Sequence, residues 1–179
     1  MKTAFAQLRA QETKGMLLGM VGVAIFSLTL PFTRLAVAEL HPLFIALGRA
    51  VVAAVCAGLL LWRLRAPWPH VRQWRALAIT STGCVIGFPV FSSLAMRDVP
   101  ASHGAVVVGI LPLATALFGA LRFGERPSPG FWLTAIAGSG IVIAYALQQG
   151  GGEFQTADLA LFAAVLAAAM GYAEGGRLS

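Results

Sequence analysis

An all-α integral membrane protein with about six transmembrane helices is the fold class this sequence predicts, and three observations carry it. Hydrophobic residues make up 58% of the 179 residues and charged residues only 11%, against roughly a quarter charged in ordinary globular domains. The apolar residues gather into about six runs of about 18–24 residues, each spanning roughly 27–36 Å as an α-helix, enough to cross a bilayer. The cations fall between the runs, and mostly on one side of them. No soluble core of this size hides so much apolar surface. Helices are expected rather than strands, because the backbone must be satisfied within each segment and the period-2 alternation of a barrel strand is missing.

Residues 1–14 read as a mixed tail carrying Lys2, Arg9 and Lys14. The first span runs from about Gly15 to Ala38. Ala36-Val37-Ala38 has the small-residue form of a signal-peptidase site, but Pro31 and Arg34 lie between it and the apolar run, and further spans follow. The run is therefore read as a membrane helix and not as a cleaved leader. The second span covers about Pro42 to Trp62, followed by Arg63, Arg65, Arg72 and Arg75 around Pro67 and Pro69. The third covers about Trp74 to Met96, and Arg97-Asp98-Val99-Pro100 is a tight turn. The fourth covers about Ala101 to Leu121, and the loop from Phe123 to Pro129 leads to the fifth, about Gly130 to Leu147. A Gly-rich loop, Gln148 to Thr156, precedes a sixth span that begins near Ala157.

Placing the N-terminus in the cytoplasm puts Lys2, Arg9, Lys14, Arg63, Arg65, Arg72, Arg75, Arg122, Arg126 and Arg177 inside and only Arg97 outside. That asymmetry predicts an N-in, multi-pass inner-membrane protein. Glu39, Asp98 and Glu153 then lie outside. The net charge of +6 follows from this distribution; a nucleic-acid partner would need a continuous basic patch, which is missing. Cys56 and Cys84 lie within apolar runs and read as free thiols. His41, His70 and His103 have no Cys, Asp or Glu three or four residues on, so neither a metal nor another cofactor is expected. Gly15 and Gly19, Gly83 and Gly87, and Ala53 and Ala57 have the four-residue spacing that lets helices approach closely. Pro31, Pro89 and Pro112 fall within spans, where each removes a backbone donor and can bend its helix.

Several segments together resemble the drug/metabolite transporter superfamily, in particular its EamA-type members. The first helix reads GMLLGMVGVAIFSLTLPFTRLA with a late cation at Arg34, and the second opens HPLFIALGRAVVAA with an early Arg49. The fourth and fifth read ILPLATALFGALRFGERPSPGFWLTAIAGSGIVIAY, with Pro112 mid-helix and Gly124-Glu125 closing the fourth. The resemblance implies a ten-helix fold of two inverted five-helix repeats, inverted because each repeat has an odd number of spans. Residues 15–147 are then the first repeat, 148–157 an outer loop and 158–179 the start of a second, truncated repeat, with Arg177 overlying Arg34 and Leu178 overlying Leu35. On that reading the chain is a fragment of a longer transporter; if it is complete at 179 residues, it works as a homo-oligomer.

The function implied is secondary transport, an exporter of small metabolites, amino acids or drugs working by alternating access between lipid-embedded bundles. No nucleotide-binding G-x-x-x-x-G-K-[ST] loop is present, so ATP is not expected to drive it. Charge inside a membrane is expensive and points to function. Arg49, about seven residues into the second helix, is the clearest candidate for contact with a carboxylate-bearing substrate. Arg34 and His103 are candidates on the same side, although snorkelling, with Arg34 pairing to Glu39, is the favoured reading for them. Ser92, Ser93 and Thr115 either add polar lining or bond to their own backbone. Arg122 and Glu125 are spaced to pair at the turn between helices 4 and 5. Glu174 reads as interfacial, with a proton-relay carboxylate as the alternative. A membrane-embedded transferase is the remote alternative, because no His–Asp pair or acidic cluster is visible in the sequence; a non-transporting scaffold or subunit is the other.

Overall fold

The computed structural model describes residues 2–148 and 155–178, and all the regular structure in them is helical. Most of the expected Gly-rich loop, including Glu153, lies outside the described residues. The first span is made of α1 (Lys2–Ser27) and α2 (Thr29–Glu39), and the second of α3 (Pro42–Leu64). The third joins a 3₁₀ turn (Val71–Gln73), α4 (Trp74–Ser81), a π-helical turn (Thr82–Gly87) and α5 (Phe88–Ala95). The fourth is α6 (Ala101–Val108) and α7 (Leu111–Phe123), the fifth α8 (Pro129–Gln148) and the sixth α9 (Thr156–Gly176). Among the described residues, five stretches are long and apolar enough to cross a membrane: Thr13–Glu39, Pro42–Leu64, Val71–Ala95, Ala101–Phe123 and Thr156–Gly176. The apolar part of the fifth span, Pro129–Tyr145, is shorter. The protein is therefore an all-α, multi-pass membrane protein.

The expected tail is not separate from the first helix. α1 starts at Lys2, because residues 2–14 are rich in Ala, Gln, Leu, Arg, Glu and Lys and contain neither Gly nor Pro.

Each of the three prolines within spans coincides with an interruption upstream of it. The break at Leu28 precedes Pro31, the π-helical turn precedes Pro89, and the break at Gly109–Ile110 precedes Pro112. The cause is common to all: a proline has no N–H to give the carbonyl four residues back, and its ring crowds that carbonyl. The helix ends are closed locally. His41 Nδ1 accepts the Leu43 N–H at 3.3 Å beside Pro42. Gly124, at φ 67°, reverses the chain after α7, a conformation that costs glycine little.

α9 is the centre of the bundle. Half of its most apolar stretch is buried, against 6% for each of the first two spans. It packs against α4, the π-helical turn, α5, α6 and α7. Its buried face is mostly small, with Ala164, Ala168, Ala169 and Gly171 beside Leu161 and Val165, and small residues let backbones approach closely. A Cβ at Gly83 would overlap the Ala167 carbonyl, and one at Gly87 would stand 2.8 Å from the Ala167 Cβ. The Gly83/Gly87 pair thus packs on α9. The other two small pairs do not pack: Gly15 and Gly19 have no neighbour within 4 Å of an added Cβ, and Ala53 and Ala57 are exposed. Gly15, Ala53 and Ala57 face outward, towards what in a membrane is lipid, while Gly19 borders an open cleft against the fourth span.

Candidate functional site

Two side-chain contacts, a His–Asp hydrogen bond and an Arg–Glu ion pair, tie α9 to the fourth span, one near each end. His103 Nε2 lies 2.5 Å from Asp158 Oδ1, and Arg122 Nε donates to Glu174 Oε1 at 2.6 Å. Asp158 also accepts the Gln155 N–H at 2.9 Å through its second oxygen, closing the start of α9. The two helices run parallel, since each goes from the His103–Asp158 end to the Arg122–Glu174 end. About 19 residues of the fourth span but only about 16 of α9 lie between the pairs, a difference of roughly 4–5 Å of ideal helix. The break at Gly109–Ile110 lets the fourth span bend and absorb that excess.

A cleft of about 970 Å³ lies at this break, between the first span, the fourth span and α9. Its walls are mainly apolar or glycine: Gly22 and Phe26 on α1, Val108, Gly109 and Pro112 around the break, and Ala173 on α9. Polar groups enter at few points, among them Thr115, Glu125 and Tyr172. Thr115 donates to the Leu111 carbonyl at 2.9 Å. That bond turns the hydroxyl back on its own helix. Large apolar walls with a few placed polar groups are the form of a small-molecule site.

The structure distributes the five candidate residues among different surroundings. Arg49 is half-buried in a separate groove of about 410 Å³ with Thr29, Phe32, Thr33, Ala36 and Ile45. No hydrogen bond or ion pair involves its guanidinium among the described residues. Arg34 donates to the carbonyls of Met96 and Arg97, the latter at 2.6 Å, and so caps the end of α5. The Arg34–Glu39 pair expected from spacing is not formed, because α5 ends within reach and offers carbonyls that its own helix leaves free. His103 is held by Asp158. Ser92 is fully buried and donates to the Phe88 carbonyl at 2.6 Å. The Ser93 hydroxyl is buried with no hydrogen-bond partner among the described residues.

Two other expectations are corrected. Spacing predicts an Arg122–Glu125 pair, but Arg122 reaches Glu174 instead. The reversal at Gly124 takes Glu125 off the helical path, and its carboxylate folds over Gly119, 2.6 Å from where a Cβ would stand. Glu174 is only 6% exposed, because α9 sits in the middle of the bundle. A His–Asp pair does exist, between residues 55 apart in sequence. Asp158 is the residue that sequence reasoning missed, and its local signal was an acid three residues after Gln155 at the start of an apolar run, the spacing of a capping box. Cys56 and Cys84 are free. No group of three or more His, Cys, Asp or Glu comes together among the described residues.

Residues 13–147 match the profile of the EamA-like transporter family. The chain belongs to that family. This EamA-like chain is also 47% identical over 169 residues to a Bacillus subtilis (strain 168) protein described as "Uncharacterized transporter YdeK". The alignment covers 94% of the chain and 59% of that relative, so the chain spans about 59% of the relative's length. No solved structure matches it.

Proposed function

We propose that this EamA-like protein is a multi-pass secondary transporter of the inner membrane, with its N-terminus in the cytoplasm, that exports small metabolites, amino acids or drugs by alternating access. The observation that carries the reading is the cleft of about 970 Å³ at the bend of the fourth span. A helix already broken at Gly109–Ile110 can rock about that point without losing more backbone bonds. The cleft admits an amphipathic small molecule, with Thr115, Glu125 and Tyr172 as its polar contacts. Arg49, in its separate groove, is the cation that meets an anionic group of the substrate at another point of its path, since it has no protein partner among the described residues and an unpaired guanidinium within a membrane span is costly. Arg34 and His103 act through the bundle, as a cap and as a link between helices. The match over residues 13–147 supports a first repeat ending near Leu147 and a second opening with α9. The excess of Lys and Arg on the face that holds residues 63–75 and 122–129 supports the N-in orientation.

The test is efflux of a panel of amino acids and aromatic cations from proteoliposomes containing the protein. Wild type is expected to move at least one anionic or zwitterionic member. Arg49→Ala is expected to lower that rate on the order of tenfold or more, the scale set by losing one charge-assisted hydrogen bond, with unchanged insertion. A rate equal to protein-free vesicles across the panel refutes transport, and full activity in Arg49→Ala refutes the residue's role. An imposed pH gradient distinguishes proton coupling from substrate exchange.

A further inference from the structure

We propose that the turn between α3 and α4 is a binding site for one anionic phospholipid, held by Arg63 and Arg65. A cleft of about 860 Å³ lies here, separate from the one at the fourth span. Its floor is apolar, formed by Gly58, Leu61 and Leu77, and its rim carries Arg63, Arg65 and Trp68.

Two observations point to an external anion. The first is a deficit of counter-charge: from Leu40 to Arg97 the sequence has no Asp or Glu. Neither ion pair among the described residues involves Arg63, Arg65, Arg72 or Arg75. The second is that the end of α3 is already satisfied, by a C-cap in which Arg65 takes the left-handed conformation at φ 51°. The Arg65 N–H donates to the Trp62 carbonyl at 3.1 Å and the Ala66 N–H to the Leu61 carbonyl at 3.0 Å. The arginines are therefore not needed to cap the helix.

The same cleft distinguishes a lipid from a free phosphate. A free anion would use the two guanidinium groups and leave the apolar floor empty. A diacyl lipid uses both, with its phosphate on Arg63 and Arg65 and its chains along the exposed face of α3, where Val55, Leu59 and Leu60 stand 57–59% exposed. Trp62 and Trp68, 79% and 86% exposed, are the amphipathic residues expected at headgroup level beside them. Arg72 and Arg75 share the face but do not line the cleft.

Native mass spectrometry of the detergent-purified protein tests the site. It is titrated with phosphatidylglycerol, with phosphatidylcholine of the same acyl chains, and with inorganic phosphate. Phosphatidylglycerol is expected to give one retained adduct, with phosphatidylcholine at least fivefold weaker and no phosphate adduct. R63Q/R65Q is expected to weaken phosphatidylglycerol about 25-fold, at roughly fivefold per interfacial cation. R72Q/R75Q is expected to change it less than twofold, and R63K/R65K to stay within about fivefold of wild type. Equal retention of the two lipids overturns the proposal without any variant being made. So does equal weakening by R63Q/R65Q and R72Q/R75Q, which would mean diffuse surface charge, or retention of inorganic phosphate alone.

Discussion

Filling the two glycines of the π-helical turn separates the packing of α9 from a general intolerance of bulk. A methyl at Gly87 would stand 2.8 Å from the Ala167 Cβ, well inside the roughly 3.5–4.0 Å of ordinary carbon contact. A methyl at Gly83 would overlap the Ala167 carbonyl oxygen, and would be 3.2 Å from the Gly171 Cα. Overpacking of this kind costs about 1–3 kcal/mol, and alanine in place of helical glycine returns about 1 kcal/mol. Gly87→Ala is thus expected to destabilise by about 1 kcal/mol, and Gly83→Ala by about 2 kcal/mol, since backbone cannot move aside as a side chain does. The second substitution, Ala167→Gly, separates them further. It removes the atom that Gly87→Ala strikes but leaves the carbonyl that Gly83→Ala strikes. A double-mutant cycle should give a coupling energy of about 1–2 kcal/mol for the 87/167 pair and near zero for the 83/167 pair. The assay is the midpoint of SDS-induced unfolding in mixed micelles. Equal coupling in the two cycles, or none at 87/167, would refute the placement of α9 against the third span.

Other substitutions probe the links of the bundle by the same assay. Arg122→Ala leaves Glu174, whose side chain is 8% exposed, without its partner. The expected loss is about 1–2 kcal/mol, below that of a fully buried pair because the Arg122 side chain is 41% exposed; adding Glu174→Gln should recover part of it. Asp158→Ala should cost about 1 kcal/mol more than Asp158→Asn, which keeps an acceptor for the Gln155 N–H; equal losses would show that the cap contributes nothing. Arg34→Ala should cost about 1–2 kcal/mol by freeing two carbonyls at the end of α5, and an unchanged midpoint would show that water or lipid replaces the guanidinium.

Much of the fold is legible in the sequence because the signal is redundant. Missing one apolar residue in a run such as Pro42–Leu64 leaves the run long enough to span. Predicted and observed span limits differ by only a few residues, as with Trp74 to Met96 against Val71–Ala95. Prolines are equally legible, because the cause of each break is local: a missing N–H and a crowded carbonyl. The site was less legible. Arg122 has an acid three residues on, and spacing assigns it that partner; the chain reversal at Gly124 and the arrival of α9 give it Glu174 instead. His103 has no acid near it in sequence, and its partner lies 55 residues away.

The sequence by itself determined that the chain is helical and membrane-spanning, where its spans begin and end, where they break, and which family it belongs to. Each of these depends on composition or on residues within about one turn of one another. Only the tertiary structure decided that α9 stands at the centre with an acid held at each end, that a cleft lies at the break of the fourth span, and that among the described residues Arg49 is unpaired while Arg34 is not. In a membrane every span is apolar on most faces, so hydrophobicity does not say which face meets protein and which meets lipid. That choice is made by small residues and paired charges meeting across helices, and their meeting is a property of the packing.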